Sequence, residues 1–523
     1  MRRPLLLALL LTMACRGGES APDRRMLIDS RDTYDPRSLD PALSTDVPTG
    51  RAVAYVFDGL VRFTPDAKVE PALATSWDIS RDGTVYTFHL RRGVTFHDGT
   101  PFVARQVLHS FERVLDPRLR GGRGWPLYPI KGARDYAAGT ASGIAGLSAP
   151  NDSTVVITLD QPLAVFVKLL AMPVASIVPD STPANFGEHP VGTGPWKFVE
   201  WKHDDYLKFA RNSHYFGGVA REDSLMARII PEPSTAEAEF ESGNVDILDV
   251  PVGETRQWEE TDEKKALLQS APSLRLWYVA LNTARGPLRD VRVRQAINIA
   301  IDRKSILDQI ISGRGTLAAG VIPPALDGYD STRAPYPYDP ARARQLLAQA
   351  GYPKGFSIEL WSSQEPPFPQ VAQTIQSYLK AVGIDAKLVQ RDAPSVREAS
   401  RKGSVDMYVK DWWADYPDAE NFLYPLLATA NEGVGGNVSF YSNPDFDRIV
   451  TQARRELDDA TRVRLYRQAD SIAFNDAPMV FLFFYNELYA VQPWIQGFQV
   501  PVIYNGQPLT RVRITETEGG GGA

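Results

Sequence analysis

The chain has 523 residues, a formal net charge of -6 and a hydrophobic fraction of 43%. This length exceeds what a single hydrophobic core serves and predicts two or three domains, while the composition is that of a globular protein. The acidic balance excludes the broad basic surface that binding to nucleic-acid phosphates requires.

The N-terminus has the layout of a secretory signal peptide. Two arginines precede the apolar run Leu5 to Leu11, which is too short to span a bilayer. Cys15, the sole cysteine, follows a small residue as in a bacterial lipobox, although Thr12 stands where lipoboxes usually carry Leu. We expect residues 1–15 to direct export, with a lipid anchor at Cys15. The alternative is an ordinary signal peptide that contains a cysteine.

Composition also predicts two flexible segments at the ends of the mature chain. Residues 16–25 are polar and contain Gly and Pro, as expected of a tether between an anchor and a folded body. Residues 518–523 are Gly-rich and predict a flexible tail.

Between these ends, strand-like apolar runs alternate with amphipathic helical patterns, which predicts an α/β class with mixed sheets flanked by helices. No repeat of solenoid length is evident. Strands are predicted over the segments rich in β-branched and aromatic residues: Thr84 to Arg91, Thr154 to Leu159, Trp196 to Trp201, Leu274 to Leu281 and Met479 to Phe484.

Turn chemistry marks several connections. Asp82-Gly83, between Trp77 and Tyr86, predicts a hairpin. Gly192 to Pro195 suits a sharp bend before the strand that begins at Trp196, and lacks the helix start of a phosphate-binding loop. His97 stands in a predicted turn, where a structural role is favoured over a catalytic one.

Helix starts are predicted from capping residues. Asp290 precedes apolar residues spaced three and four apart. Asp339-Pro340 opens a helix that ends before Gly351, and Asn443-Pro444 opens another. These amphipathic helices need a sheet to pack against.

The sequence contains no recognisable catalytic constellation. Neither Gly-x-Ser-x-Gly, His-Glu-x-x-His nor a Walker A loop occurs, and the six histidines are scattered singly. A hydrolase with paired carboxylates stays an alternative, because acids are frequent and no spacing identifies a pair. We predict a protein that is not an enzyme, with no cofactor and no metal site.

Motifs that belong together occur along the whole mature chain. The longest and most specific runs from Val69 to Gly99. Others follow in order: Gly192 to Pro195, Arg211-Asn212 with Tyr215-Phe216, Leu281 to Thr283, Pro287 to Ile297, Ala350 to Pro353, Trp412 to Tyr416 and Pro478 to Tyr485. Together they resemble the family 5 solute-binding proteins of bacterial ABC importers. One departure is Arg105-Gln106-Val107, where relatives commonly carry an acidic pair before Val.

The resemblance implies a two-lobed periplasmic-binding-protein fold of the large, type II-like kind, with an extra subdomain in the first lobe. Lobe I would comprise residues 26–60, 186–270 and 487–517, with residues 61–185 as its subdomain, and lobe II residues 271–486. The chain is expected to cross between lobes near Ala271 to Trp277 and Phe484 to Leu488. A ligand touching both lobes stabilises the closed state.

The resemblance also implies a ligand-binding acid. Asp415 falls where peptide-binding relatives place the carboxylate that pairs with the ligand amine, with Trp412 as the aromatic beside it. The alternative is that Asp415 caps a turn and that Trp412 and Trp413 belong to the core. Asp418 is the second candidate acid. Asp411 departs from the small residue often found before Trp412.

Further wall residues are expected around this acid. The candidates are Asp46, Val47, Trp125, Tyr278, Asn282, Tyr485 and Asn486. The alternative is a packing anchor for Trp125 and hinge scaffold for each of the others. Trp125 stands in a Gly-rich loop that could reach over the cleft. Lys410, Arg391 and Arg401 are candidates for a ligand carboxylate.

The protein so implied is an extracytoplasmic, periplasmic monomer, anchored to the membrane through Cys15. It would deliver di- to oligopeptides to an ABC permease and its ATPase, without nucleic acid as a partner. The family also includes members for nickel, haem, opines and oligosaccharides, so a sugar, metal chelate, haem or opine ligand is the first alternative. A lipoprotein chaperone without its own transporter is another.

Overall fold

The structure is a computed structural model that describes residues 25–119, 122–433, 436–506 and 508–515. The predicted signal peptide, Cys15, most of the tether and the Gly-rich tail lie outside these residues, so the anchor stays a prediction. Within the described ranges, no helix combines the length and the apolar composition needed to cross a membrane.

Strands and helices alternate along the described chain. The strands are β1 (Met26–Asp32), β2 (Val61–Phe63), β3 (Val69–Pro71), β4 (Ala74–Ile79), β5 (Val85–Leu90), β6 (Leu147–Asn151), β7 (Thr154–Thr158), β8 (Trp196–Lys202), β9 (Tyr206–Arg211), β10 (Ser224–Ile229), β11 (Ile247–Asp249), β12 (Leu268–Leu281), β13 (Gly315–Leu317), β14 (Phe356–Ser363), β15 (Ile384–Arg391), β16 (Met407–Trp413), β17 (Met479–Val491), β18 (Ile495–Gln496) and β19 (Arg513–Ile514). All five predicted strands are confirmed, and two of them, β12 and β17, are longer than predicted.

The helices cover both faces of the sheets. They are α1 (Val47–Val56), α2 (Ala104–Leu115), α3 (Ala133–Ala137), α4 (Phe166–Leu169), α5 (Pro233–Glu241), α6 (Thr255–Glu260), α7 (Asp262–Lys265), α8 (Val291–Ala300), α9 (Arg303–Gln309), α10 (Pro340–Gln349), α11 (Phe368–Ala381), α12 (Ala393–Arg401), α13 (Glu420–Leu427), α14 (Pro444–Arg455) and α15 (Asp459–Asp476). The predicted caps are confirmed: side chains of Asp290, Asp339 and Asn443 accept backbone N–H groups at the starts of α8, α10 and α14.

One large mixed sheet runs through the molecule in the order β15-β14-β16-β12-β17-β11-β1-β10-β9-β8, with β13 paired to β17. Its two halves form two lobes, each with apolar side chains on both faces. In β12, for example, Leu276 and Trp277 point into different cores, because successive side chains of a strand face opposite sides.

The antiparallel pair β12 and β17 joins the lobes. Leu268 pairs with Ala490 at one end and Ala280 with Met479 at the other. β11 pairs with residues 489–491 of β17, whereas β16 pairs with β12 from Arg275 onward. Each long strand therefore belongs to both lobes. The division of the chain at residues 271 and 486 stays a proposal, which this change of partners supports.

A smaller unit packs on the first lobe around the antiparallel sheet β4-β5-β7-β6. The predicted hairpin is confirmed, with Gly83 at φ 69° in the turn between β4 and β5. The predicted bend is also present, and His97 supports it: its Nε2 donates to the carbonyl oxygen of Gly194 at 2.9 Å, and its own N–H donates to the carbonyl of Gly192.

Candidate functional site

Asp415 lies in the turn that follows β16, between the two lobes. The side-chain oxygen of Asn421, which is fully buried, accepts both the Asp415 N–H and the indole Nε1–H of Trp412, each at 3.0 Å. The N–H of Ala414 donates to the Leu274 carbonyl on β12. These hydrogen bonds fix the turn, so Asp415 is held rigidly although it lies outside regular structure.

The carboxylate of Asp415 is paired across the cleft. Nη2 of Arg123, in the Gly-rich loop of the subdomain, donates to Oδ2 of Asp415 at 2.7 Å. Asp415 is only 6% exposed. Burial alone would lower the pKa of the Arg123 guanidinium, but the Asp415 carboxylate raises it overall, so Arg123 stays charged.

Aromatic side chains from distant parts of the chain surround this pair. The rings of Trp125 and Tyr416 lie 6.2 Å apart, and those of Trp413 and Tyr504 lie 6.0 Å apart. The Arg123 guanidinium lies 5.6 Å from the Trp125 ring. The structure therefore brings the predicted Trp125 and Trp413 to Asp415.

The first lobe contributes Asp46 and Val47 to the same region. Asp46 caps α1, accepting the Thr49 N–H at 2.9 Å, and its second oxygen lies 3.6 Å from Nε of Arg37. Burial and the Asp415 and Asp46 carboxylates raise the pKa of the Tyr504 hydroxyl, although the Arg123 guanidinium opposes this shift. Val47 packs on the subdomain core beside the aromatics.

Asp418, the second candidate acid, already has a partner. Nζ of Lys168, on α4, lies 2.6 Å from Oδ2 of Asp418 and 2.9 Å from the carbonyl oxygen of Pro417. Asp418 therefore resembles Asp415, since each acid already pairs with a cation of the subdomain, Lys168 in one case and Arg123 in the other.

Tyr485 and Asn486 lie at the strand crossing instead. The Tyr485 ring has the guanidinium groups of Arg275 and Arg314 at 5.1 and 4.9 Å. Arg275 also donates to Asp411 at 2.6 Å, and lies 5.3 Å from the Trp413 ring. Asn486 pairs with Pro272 in the sheet. Arg275, Arg314 and Asp411 thus form a charged cluster at the strand crossing. Trp413 links this cluster to the Asp415 site.

Asn282 is not brought to the site. Its amide donates to the carbonyls of Gly403 and Val405, and its oxygen accepts the Ala284 N–H, so every polar atom of the side chain holds a loop at the far end of β12. Tyr278 is buried in the second-lobe core, 5.7 Å from Nζ of Lys410. These contacts favour the scaffold alternative for Asn282, and Tyr278 lies beneath Lys410.

The candidate cations differ in their placement. Lys410 lies over the rings of Tyr408 and Trp412, and burial lowers its pKa to about 8. No described residue forms a salt bridge with it. Arg401 lines a cavity of about 360 Å³ with Arg37 of the first lobe. Arg391, at the end of β15, donates to the Gln390 carbonyl and is not brought to the site.

Sequence reasoning missed Arg123 and Arg275. Arg123 stands two residues before the predicted Trp125, and a cation beside an aromatic in a Gly-rich loop was the available signal. Arg275 interrupts an otherwise apolar strand, which marks a charge with a buried partner.

Among the described residues, no group of three or more His, Cys, Asp or Glu side chains could hold a metal ion. Burial lowers the pKa of His97 to about 4, so this imidazole is neutral and serves the bend at Gly192 and Gly194.

A buried acid with an aromatic wall, set between two lobes that share a pair of long strands, defines a ligand-binding protein of the periplasmic type. The chain belongs to the bacterial extracellular solute-binding proteins of family 5: the model described as bacterial extracellular solute-binding proteins, family 5 Middle, matches residues 68–433. This is a family of binding proteins.

The relatives of this chain are named for different ligands. Heme-binding protein A of Haemophilus influenzae is 33% identical over 470 residues, covering 85% of this chain and 84% of that protein. Glutathione-binding protein GsiB of Escherichia coli K12 is 32% identical over 456 residues, covering 85% and 86%. The ABC transporter-associated binding protein DppA of Helicobacter pylori, solved with the peptide STSA, is 31% identical with a TM-score of 0.81, covering 94% and 98%.

Proposed function

We propose that this chain captures di- to oligopeptides between its lobes and delivers them to the permease of an ABC importer. The observation that carries the proposal is Asp415, a carboxylate 6% exposed at the lobe interface and walled by aromatic side chains. A peptide ammonium needs such a partner when it leaves water, because an unpaired buried charge is costly.

The wall offers further groups for a peptide. The indole Nε1–H of Trp413 is buried with no hydrogen-bond partner among the described residues. A buried donor left unpaired costs about 1–3 kcal/mol, so a ligand carbonyl or a water reaching it would be favourable. The relationship to the DppA protein solved with a peptide supports the same ligand class.

The cellular setting follows from the same proposal. Export through residues 1–15 places the mature chain outside the cytoplasm, and lipidation of Cys15 would keep it at the membrane near its permease. It would act as a monomer without catalysing a reaction, since delivery requires only that the ligand favour the closed state.

The test is calorimetric titration of the purified protein with Ala-Ala-Ala and with N-acetyl-Ala-Ala-Ala. We expect Asp415→Asn to weaken binding of the free tripeptide at least about tenfold, which is about 1.4 kcal/mol. The acetylated peptide, which carries no ammonium, should lose clearly less affinity, because it loses only the contribution of the Arg123–Asp415 pair to closure. Asp66→Asn, which removes an exposed acid paired with Lys68, is the matched control.

Ligand class is tested in parallel by thermal shift. A ligand that binds only the folded state raises Tm. Peptides should raise Tm, whereas haem, nickel chelates, opines and oligosaccharides should not. A shift with one of these, and none with any peptide length, refutes the peptide assignment while leaving solute binding intact.

A further inference from the structure

The charged cluster at the strand crossing contains two more acids, Asp249 of β11 and Glu487 of β17. Glu487 is 2% exposed, and its Oε1 lies 3.8 Å from Nη1 of Arg275 without accepting a hydrogen bond from any described residue. Asp249 is half-buried, and no described residue forms a hydrogen bond or an ion pair with its carboxylate. Both acids therefore have oxygens that can still accept hydrogen bonds.

These two acids lie on the face of the sheet that carries the aromatic wall. Asp249 pairs with Tyr489 of β17, so its side chain projects from the same face as Tyr489 and as Glu487, two positions away. Arg275, the cation nearest to Glu487, has its guanidinium 5.3 Å from the Trp413 ring. The acids thus extend the floor of the cleft beyond Trp413.

The charges of this cluster do not balance. It holds three acids, Asp249, Glu487 and Asp411, and two cations, Arg275 and Arg314. When all five groups are ionised, one negative charge is in excess. A buried excess charge is costly, so the cluster favours uptake of one positive charge.

Neighbouring arginines do not supply that charge. In the first lobe, Arg51 forms an ion pair with Asp32, and Arg31 forms one with Asp29. Arg314 donates to two backbone carbonyls rather than to an acid. The excess therefore stays with the acids at the crossing.

A proton can neutralise the excess. Burial and the Glu487 carboxylate raise the pKa of Asp249 to about 7, and the opposing effects of Arg314, Arg51 and Arg275 are smaller. Near neutral pH this proton is bound weakly enough to be displaced by another cation. A cationic group brought by a ligand would serve the same purpose.

We propose that Asp249 and Glu487 form a subsite for a cationic side chain, lysine or arginine, of the captured peptide. This inference rests on the proposed peptide-binding function and narrows it. The cationic group replaces the proton of Asp249 and donates to both carboxylates. A lysine ammonium has a third donor for the hydroxyl oxygen of Tyr489, which is buried and has no hydrogen-bond partner among the described residues.

The test compares lysine with norleucine, which has the same aliphatic chain and no charge. Ala-Lys-Ala and Ala-Ala-Lys are each compared by calorimetry with their norleucine counterparts, because the path of the bound peptide decides which side chain reaches the acids. At pH 8 we expect at least one lysine peptide to bind about tenfold more tightly than its counterpart.

This preference should depend on pH. The lysine ammonium favours the ionised form of Asp249, so binding releases a proton and becomes tighter as Asp249 ionises. Lysine itself stays charged between pH 6 and 8, and the terminal amine titrates alike in both peptides. At pH 6 we expect the preference to fall to within about threefold.

Two variants test the acids separately. Asp249→Asn should reduce the preference to within about twofold and remove its dependence on pH. Glu487→Gln should also reduce it to within about twofold, because the charges of the cluster then balance. The matched control is Glu263→Gln, which removes one negative charge from an exposed position of α7 in the first lobe and should keep the full preference.

The remaining outcomes separate this inference from the function beneath it. Equal binding of lysine and norleucine peptides at pH 8, or a preference that survives Asp249→Asn, overturns the subsite while peptide binding stands. A preference that is the same at pH 6 and pH 8, or that Glu263→Gln also removes, reports general attraction and overturns it too. If neither these peptides nor Ala-Ala-Ala bind any form, peptide capture itself fails and the subsite fails with it.

Discussion

The Lys168 ammonium lies 2.6 Å from the Asp418 carboxylate, and so ties the subdomain of the first lobe to the second lobe. Only three positions earlier in the same turn, Asp415 pairs with Arg123 of the subdomain. Two ion pairs thus close one side of the cleft without any contribution from a ligand. These two ion pairs therefore supply part of the free energy that favours the closed state, even before a ligand binds.

Lys168→Ala should shift the ligand-free protein toward the open state. Asp418 is 7% exposed, and leaving it unpaired in the closed form costs about 1–3 kcal/mol. We expect a larger radius of gyration by small-angle X-ray scattering and a roughly tenfold weaker ligand affinity. Lys68→Ala, which breaks an exposed ion pair with Asp66, should change neither quantity. Identical scattering from Lys168→Ala and the unmodified protein would contradict the built-in closure.

Asp249 should make stability depend on pH. Burial and the nearby Glu487 carboxylate raise its pKa from 3.8 to about 7. Since the folded protein then binds this proton more tightly than the unfolded chain, the free energy of unfolding falls as pH rises from about 4 to about 7. Asp249→Asn should remove this part of the slope, so its stability relative to the unmodified protein should increase over that range.

The measurement for Asp249 is chemical denaturation of both forms between pH 4.5 and 8. Asp82→Asn is the control, because hydrogen bonds from Ser80 and Thr84 lower the pKa of Asp82 and place its titration below this range. A stability difference between Asp249→Asn and the unmodified protein that does not change with pH would show that Asp249 is ionised throughout.

Gly192 should tolerate no side chain. A Cβ there would lie 2.1 Å from the carbonyl oxygen of Val56, and backbone cannot move aside cheaply. We expect Gly192→Ala to lower the free energy of unfolding by about 2 kcal/mol or more, measured by denaturant titration. Gly253→Ala is the matched control, since its Cβ would meet nothing within 4 Å, and it should stay within about 0.5 kcal/mol. Equal effects of the two changes would refute the close approach.

Trp277 should be a main stabilising residue of the second lobe. Its ring stacks on Phe368 at 4.5 Å and on Phe483 at 5.5 Å, and it is buried. Trp277→Ala should cost about 3–5 kcal/mol, because a cavity adds to the lost transfer free energy. Trp277→Phe, which keeps a ring, should cost clearly less. The measurement is the denaturation midpoint of each variant, and similar losses for both would argue against stacking as the source.

Local rules predicted local structure well in this chain. Asp339 and Asn443 cap helices, and Asp82-Gly83 forms a hairpin turn, because capping and turn chemistry involve only neighbouring residues. The length of β12 was underestimated. Pro272 and the polar residues around it hide the first part of the strand, and pairing with β17, which the sequence does not display, continues the strand through them.

For the candidate site too, the sequence predicts some residues and misses others. A motif located Asp415, but its partner Arg123 lies 292 positions away, and no periodicity links the two. Asn282 differs: it lies in a shared motif, and its amide is committed to loop carbonyls, which favours the scaffold alternative over a ligand contact. Contacts of this kind exist only once the chain has folded.

The position of β17 in the large sheet has a consequence for biogenesis. This strand comes from the last part of the chain, yet it lies between β12 and β11 at the centre of the sheet order. Until residues 479–491 have been synthesised, neither lobe can complete its sheet, and folding depends on contacts between distant parts of the sequence. A nascent chain would thus stay incompletely folded through most of its synthesis, the condition in which a polypeptide can still be threaded through a narrow translocation pore.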